Sequence, residues 1–355
     1  MNMIQREYHL RFHTPAFLGN AEQSGQWRTP PFKAQLRQWW RVAYAASKGF
    51  QLTVAQMREE EGKLFGHAWL ENDRDRQGEK LAARKSLVRI RLGEWSPGKQ
   101  ESWDGLEQGK IDHPEAEKSG RKVGPHAYLG YGPLDGRGGT KFSEKVNAAI
   151  QAGKDNTLSI ADPDDSRTPL IEQALALMSQ FGTVGGRSRN GWGSYSLQAI
   201  SDVSSLPLRP WQEALELDWP HAIGSDAKGA LIWQTTPFAD WKALMRELAA
   251  IKIDLRTQFK FPHQKPDGQT HDRHWLSYPV TNHEVSDWKR NSARLPNSLR
   301  FKVHPTADGK LIGVIFHMPC LPPAAFQPDE QAIQRVWQQV HAFLDMQSTL
   351  TRTRA

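Results

Sequence analysis

The chain has 355 residues, more than one hydrophobic core ordinarily fills, and 38% of them are hydrophobic, which predicts a globular protein of two domains. No apolar run approaches the roughly 20 residues of a bilayer-crossing helix, and Gln5, Arg6, Glu7 and His9 interrupt the start, so no membrane contact and no secretory leader are expected, and a cytoplasmic location is. Lys and Arg total 46 against 39 Asp and Glu, a net charge of +7 that favours a polyanionic partner, while the single cysteine, Cys320, can form neither an internal disulfide nor a cysteine-based zinc site.

In chain order, residues 4–12 alternate, with Ile4, Tyr8, Leu10 and Phe12 opposed to Gln5, Glu7, His9 and Arg11, the pattern of a half-buried strand that Thr14-Pro15 ends. A helix starts at Pro31, a residue suited to a first turn, and its apolar stripe of Phe32, Leu36, Trp39, Trp40, Ala43 and Tyr44 must face a sheet. Residues 86–92 read as a strand with Val88, Ile90 and Leu92 inward. From 96 to about 127 the chain is polar and punctuated by Gly and Pro, so an insertion is expected to project there, within a region near 96–165. A second amphipathic helix over 168–181 runs into a glycine-rich loop and a strand over 195–200, giving a split βαβ order. Residues 207–220, with Pro and Trp, read as a linker. A second cycle follows: strand 230–235, a Thr236-Pro237 stop, helix 238–251, a hairpin of 298–303 and 310–318 across Asp308-Gly309, and helix 329–346. No fourth strand is read after that helix, so the second copy is expected to be degenerate.

Two segments carry candidate chemistry. Residues 23–58 contain Arg28, Lys33, Arg37, Arg41, Lys48 and Arg58 without one Asp or Glu, and Lys33, Arg37 and Arg41 fall at i, i+4 and i+8. Like charges at that spacing cost a helix about 0.2 to 0.5 kcal/mol per pair, so the stripe predicts an anion beside it, unless Glu59 to Glu61 supply the counter-charge. The second segment, residues 182–193, holds Gly182, Gly185, Gly186, Arg187, Ser188, Arg189, Gly191 and Gly193. Glycines let backbone N–H groups approach phosphate oxygens and two arginines offer forked donors, although turn geometry alone also explains glycines. The segment lacks the Gly-Lys-Ser/Thr ending of a P-loop and opens no helix, so neither nucleotide motif applies.

Other groups carry weaker signals. His263, His271, His274 and His283 match no zinc spacing, and a solvated loop is the better reading. His13 is a candidate general base without a visible acid, and Asp112, Asp135 and Asp155 are candidate cleaving carboxylates, Asp135 being first a turn former before glycine.

The string Leu36-Arg37-Gln38-Trp39-Trp40-Arg41, preceded by Phe12-His13-Thr14-Pro15 and a Gly19 loop and followed by Leu64-Phe65-Gly66, resembles the N-terminal half of the RAMP superfamily of CRISPR systems. Tyr128-Leu129-Gly130-Tyr131-Gly132 and the loop from Gly185 to Gly193 are similar to motifs of the first-subunit family of type III-B Cmr effector complexes, and Tyr278-Pro279 and Arg294-Leu295-Pro296-Asn297-Ser298-Leu299 match more loosely. The resemblance implies an α+β fold of two ferredoxin-like (RRM-like) domains in tandem, over residues 1–205 and 206–355. It further implies RNA contact through Lys33, Arg37, Trp40, Arg41, Gly185, Gly186, Arg187, Ser188 and Arg189. The partners implied are guide RNA, target RNA and other CRISPR effector subunits, in antiviral defence, near the 3′ end of the guide. No cofactor and no metal are expected. The alternative is a RAMP endoribonuclease that cuts guide precursor or target RNA.

Overall fold

Alternating apolar residues form the first strand: β1 (Met3–Phe12) buries Tyr8, Leu10 and Phe12 on one face. A computed structural model describes residues 2–353 apart from 76, 108, 117–119, 199, 201–202, 204 and 264–265. Helix α1 (Thr29–Ser47) carries Pro in its first turn and buries Phe32, Leu36, Trp39, Trp40, Val42 and Ala43. A Thr53–Gln56 capping box starts α2 (Val54–Phe65), and β2 (Arg89–Leu92) follows. The short ladder of β3 (Ile111–Asp112) and β4 (Lys122–Val123), helix α3 (Pro125–Gly130) and the ladder of β5 (Leu134–Asp135) and β6 (Lys141–Phe142) lead to β7 (Asp155–Pro163), α4 (Thr168–Phe181) and β8 (Tyr195–Leu197). The first sheet has the order β2-β7-β1-β8 and is antiparallel throughout.

The second half opens with a small sheet of β9 (Leu208–Pro210), β10 (Ile223–Asp226) and β11 (Gly229–Ala230). It continues with β12 (Ile232–Thr235), α5 (Trp241–Thr257), α6 (Ser286–Arg290), β13 (Leu299–Pro305), β14 (Leu311–His317), α7 (Glu330–Met346) and β15 (Leu350–Arg352). Its main sheet, β13-β14-β12-β15, is also antiparallel. In both sheets the first and third strands of the cycle are central and the second and fourth lie at the edges. The molecule is therefore a mixed α/β protein with antiparallel sheets and a repeated strand order.

Four sequence expectations change. The long strand β7 lies inside the stretch read as an insertion and pairs β1 from Met3–Pro163 to Arg11–Asp155. Its periodic signal was weak because polar Asn156 and Asp162 share the buried face with Leu158 and Ile160; Asn156 bonds both Glu94 backbone groups, and Asp162 pairs with Arg6 at 2.5 Å. The 96–127 stretch does not simply project, for Trp103 is 2% exposed and packs 6.1 Å from Phe17 and 5.5 Å from Trp192; residues 108 and 117–119 of it lie outside the described residues. Residues 207–220 are no linker, since β9 pairs β10 in parallel and Trp211 and Leu215 are buried. Finally, β15 supplies the fourth strand against β12, so the second copy has the full set. The strand expected over 195–200 is seen as β8, and residue 199 lies outside the described residues.

The halves meet along an edge. β8 and β13 end their respective sheets, and Phe301 N donates to Arg189 O at 3.0 Å while Val303 N donates to Ser194 Oγ at 2.9 Å. Lys302, fully buried, donates from Nζ to Ser179 O near the C-terminus of α4. Trp39 of α1 and Phe181 of α4 reach Phe316 of β14, with ring centroids 6.3 and 5.0 Å apart, so the first half's helices also cover the second sheet.

Candidate nucleic-acid interface

The stripe on α1 has a counter-charge. Arg37 Nε and Arg41 Nη2 each lie 2.7 Å from one oxygen of Glu61, a carboxylate of α2 that is 2% exposed. Of the two readings left open by the spacing, the one in which the Glu59–Glu61 run supplies partners is the observed one for Glu61. Lys33 donates to Phe65 O at 3.3 Å, and burial, followed by the nearby Arg37, lowers its pKa. Two guanidinium groups share this one carboxylate, and the Arg37 and Arg41 side chains remain 33% and 40% exposed. Trp40 does not border a groove: it is 3% exposed, stacked on Tyr44 at 4.9 Å and edge-on to Phe65 at 5.7 Å. Trp39 is wholly buried.

The glycine-rich loop is closed on the protein's own backbone. Val184 N donates to Gly193 O at 3.0 Å, Gly193 N to Pro15 O at 2.9 Å and Gly186 N to Phe17 O at 3.0 Å. Gly185 has φ +93°, and a Cβ there would stand 2.8 Å from Phe17 O; at Gly193, with φ +62°, it would stand 1.9 Å from Val184 O. Gly185 is required by the approach of Phe17 and Gly193 by that of Val184, rather than by space for a ligand. The closed loop holds Arg187, itself at φ +56°, and Arg189 on the surface, with Ser188 half-buried between them.

Further cations, from the second half, converge on these arginines. Arg294 acts on Arg187, and Arg300 on Arg189; burial, with Arg189, pushes the Arg300 guanidinium down to about 9. Lys252 of α5 donates to Asn190 Oδ1, and burial, with Arg256 and Arg187 nearby, brings its pKa to about 7. Burial also lowers the pKa of Arg187 and of Arg189. Among the described residues no carboxylate forms an ion pair with Arg187, Arg189, Lys252, Arg294 or Arg300, and Arg300 Nε is buried without a partner. Such a concentration of like charge is costly unless an anion joins it. Gln38, its carboxamide oxygen turned toward the guanidinium, accepts from both Nη atoms of Arg300, so α1 and the glycine loop meet at that arginine.

Sequence reading found Arg187, Ser188 and Arg189 and missed their second-half neighbours. Lys252 offered a faint signal, a lone cation between Ile251 and Ile253 on a helix that buries both. Arg300 alternates with Lys302 on β13, and Gln38 of α1 covers it.

The remaining candidates separate. Asp135 accepts from Arg137 N at 3.0 Å, a turn role, and Asp155 sits 3.4 Å from Arg11 and His9. Asp112 is exposed on β3. His13 is buried, 2.8 Å from Ser196 Oγ, and burial, with Lys302, His304 and Arg11, lowers its pKa to about 3. It lines, with His304, Arg11 and Trp241, a cleft of about 880 Å³ between the halves. The histidine loop is not simply solvated: His274 is 1% exposed and bonds His283 O at 3.0 Å, and His283 stacks on Phe261 at 3.7 Å. Among the described residues no group of His, Cys, Asp and Glu is arranged to hold a metal, and no helix is long and apolar enough to cross a membrane.

No protein-family model matches the chain, and no curated protein sequence does. Solved structures are similar in fold. Cmr1 from Pyrococcus furiosus, in its apo form, is 16% identical, with 99% of this chain and 98% of that chain covered and a TM-score of 0.46. A chain of the type III-B Cmr-beta complex bound to cognate target RNA and AMPPnP is 13% identical, with 96% and 99% covered and a TM-score of 0.48. A chain of a type IV-B CRISPR complex is 12% identical over 58% of this chain, with a TM-score of 0.31. The likeness to the Cmr chains runs along nearly the whole sequence, and at such identities no residue's role passes across.

Proposed function

We propose that this chain is an RNA-binding structural subunit of a type III CRISPR RNA-guided effector complex, built on two ferredoxin-like domains over residues 1–205 and 206–355. It contacts guide or target RNA near the 3′ end of the guide, beside other effector subunits, in antiviral defence. The motif resemblance supports the family, and the common strand order of the two main sheets supports the paired domains. The observation that carries RNA binding is the cluster of cations without counter-ions around Arg187 and Arg189. Gly185 and Gly186 hold that loop in shape and Ser188 lies between its arginines. Lys33, Arg37 and Arg41 form an outlying cationic strip, partly neutralised by Glu61, and Trp40 anchors α1 from within.

Binding through phosphates releases counter-ions, so affinity falls steeply with salt and is tolerant of sequence. Arg187→Ala and Arg189→Ala each weaken RNA binding and lower the slope of log K against log salt by about one. Arg37→Ala has a smaller effect, because its guanidinium is engaged by Glu61. An unchanged slope in both loop variants, measured by fluorescence anisotropy across a salt series, overturns the reading.

One observation favours a second reading, an endoribonuclease: His13 and His304 line the same cleft. His13 stays neutral to low pH and its Nε2 is engaged by Ser196, which suits a structural role better. Site-spaced cleavage of labelled RNA that disappears in His13→Ala or Asp135→Ala would restore the enzyme.

A further inference from the structure

An exposed aromatic ring stands beside the cation cluster. Tyr131 is 61% exposed, in a chain that buries most of its aromatic residues. Trp69, another exposed ring, is covered by the Arg58 guanidinium at 4.4 Å. Tyr131 sits on a tight turn packed directly against the glycine loop. Asn190 Nδ2 donates to Leu129 O at 2.7 Å, and Pro133 Cγ lies 3.1 Å from the position of a Cβ on Gly186. A Cβ on Gly132 would stand 3.4 Å from Arg187 Nη2, so the Arg187 guanidinium lies against the residue that follows Tyr131. The turn that carries the ring and the loop that carries the guanidinium are thus in direct contact.

Cations alone would suit any polyanion, duplex or single strand. A solvent-facing ring fixed next to them adds a flat apolar surface, which suits an unstacked base and offers nothing to a duplex whose bases face inward. We propose that Tyr131 stacks a base of single-stranded nucleic acid whose flanking phosphates lie on the exposed Arg187, Arg189 and Arg294, so that the second half of the chain completes a seat that the glycine loop begins. This rests on the RNA reading of that loop and adds to it a strand state, a stacking residue and one arginine. Because Arg294 belongs to one half and Arg187 and Arg189 to the other, the strand crosses the seam between them.

The test measures binding of the intact chain to a single-stranded oligouridylate and to inorganic polyphosphate, with thermal melts to verify folding. Tyr131→Ala is expected to weaken the oligouridylate about tenfold and leave polyphosphate unchanged, and Tyr131→Phe to restore binding. Arg294→Gln, at an exposed site that tolerates the change, is expected to weaken both ligands. An unchanged oligouridylate affinity in Tyr131→Ala, or an equal loss on polyphosphate, overturns the stacking role. If Arg187→Ala weakens RNA while Arg294→Gln and Tyr131→Ala do not, this inference falls and the RNA reading stands. If the wild-type chain binds neither ligand, both fall.

Discussion

Glu61 serves two arginines at once, and its removal separates stability from binding. Glu61→Gln keeps the shape and a hydrogen-bonding oxygen but withdraws the charge between Arg37 and Arg41. The expected cost is about 1 to 3 kcal/mol, kept low because both arginines reach water. The same change frees two guanidinium groups, so RNA affinity rises and its salt slope steepens; a titration on the folded variant checks the sign. Lys302 poses the opposite case, a buried amine that donates to Ser179 O and lies 5.1 Å from the Tyr195 ring, with no carboxylate paired to it among the described residues. Its place at the end of α4 suits the helix dipole, yet burial drives its pKa well below 10.5. Between its folded pKa and 10.5 the unfolded chain holds a proton that the folded chain lacks, so stability rises with pH in that window. Lys302→Met removes this slope and is neutral or stabilising by about 1 kcal/mol, as urea midpoints between pH 7 and 10 will show. Spacing made the α1 stripe legible, but Glu61 lies on another helix, and no local pattern says which of three consecutive glutamates turns inward.

At the scale of elements, the helices were the most legible part. The predicted 168–181 helix coincides with α4, and the predicted hairpin across Asp308-Gly309 is β13 and β14. Long apolar periods survive tertiary context, and short or polar strands do not. β7 was hidden because its buried face carries Asn156 and Asp162, whose partners come from distant residues, and β15 was hidden because three residues hold no period. The glycine loop was found by composition, while the reason for its glycines was not: the demand comes from Phe17, remote in sequence, at Gly185 and from Val184, across the loop, at Gly193. Gly193→Ala therefore acts on folding. With a left-handed φ and Val184 O in the path of the new methyl group, it costs about 2 kcal/mol or more and lowers Tm, even with no RNA present.

For the whole molecule, buried neutral histidines set the acid limit. Burial lowers His13 and His341 to about 3 and His221 and His274 to about 4, and holds His317 well below its ordinary value. In the unfolded chain each titrates near 6.5, so this stability is intact above that pH and is lost as pH falls from 6.5 toward 4 for His221 and His274 and toward 3 for His13 and His341. At pH 5 each costs about 2 kcal/mol, and together they rival the total stability of a domain. Urea midpoints at pH 7.5 and 5 should differ sharply, and His341→Gln should reduce the difference. The sequence showed the repeat through its two strand–stop–helix openings, but the placement of the copies side by side was invisible, because it depends on single backbone N–H groups of Phe301 and Val303. That placement has a consequence for any attempt to divide the protein. Severed from its sibling, the second copy would show a raw strand border with the unmet amides of Phe301 and Val303, and the first would lose the apolar cover that Phe316 gives Trp39 and Phe181. Each fragment made alone should clump, and the pair made together should find one another and dissolve.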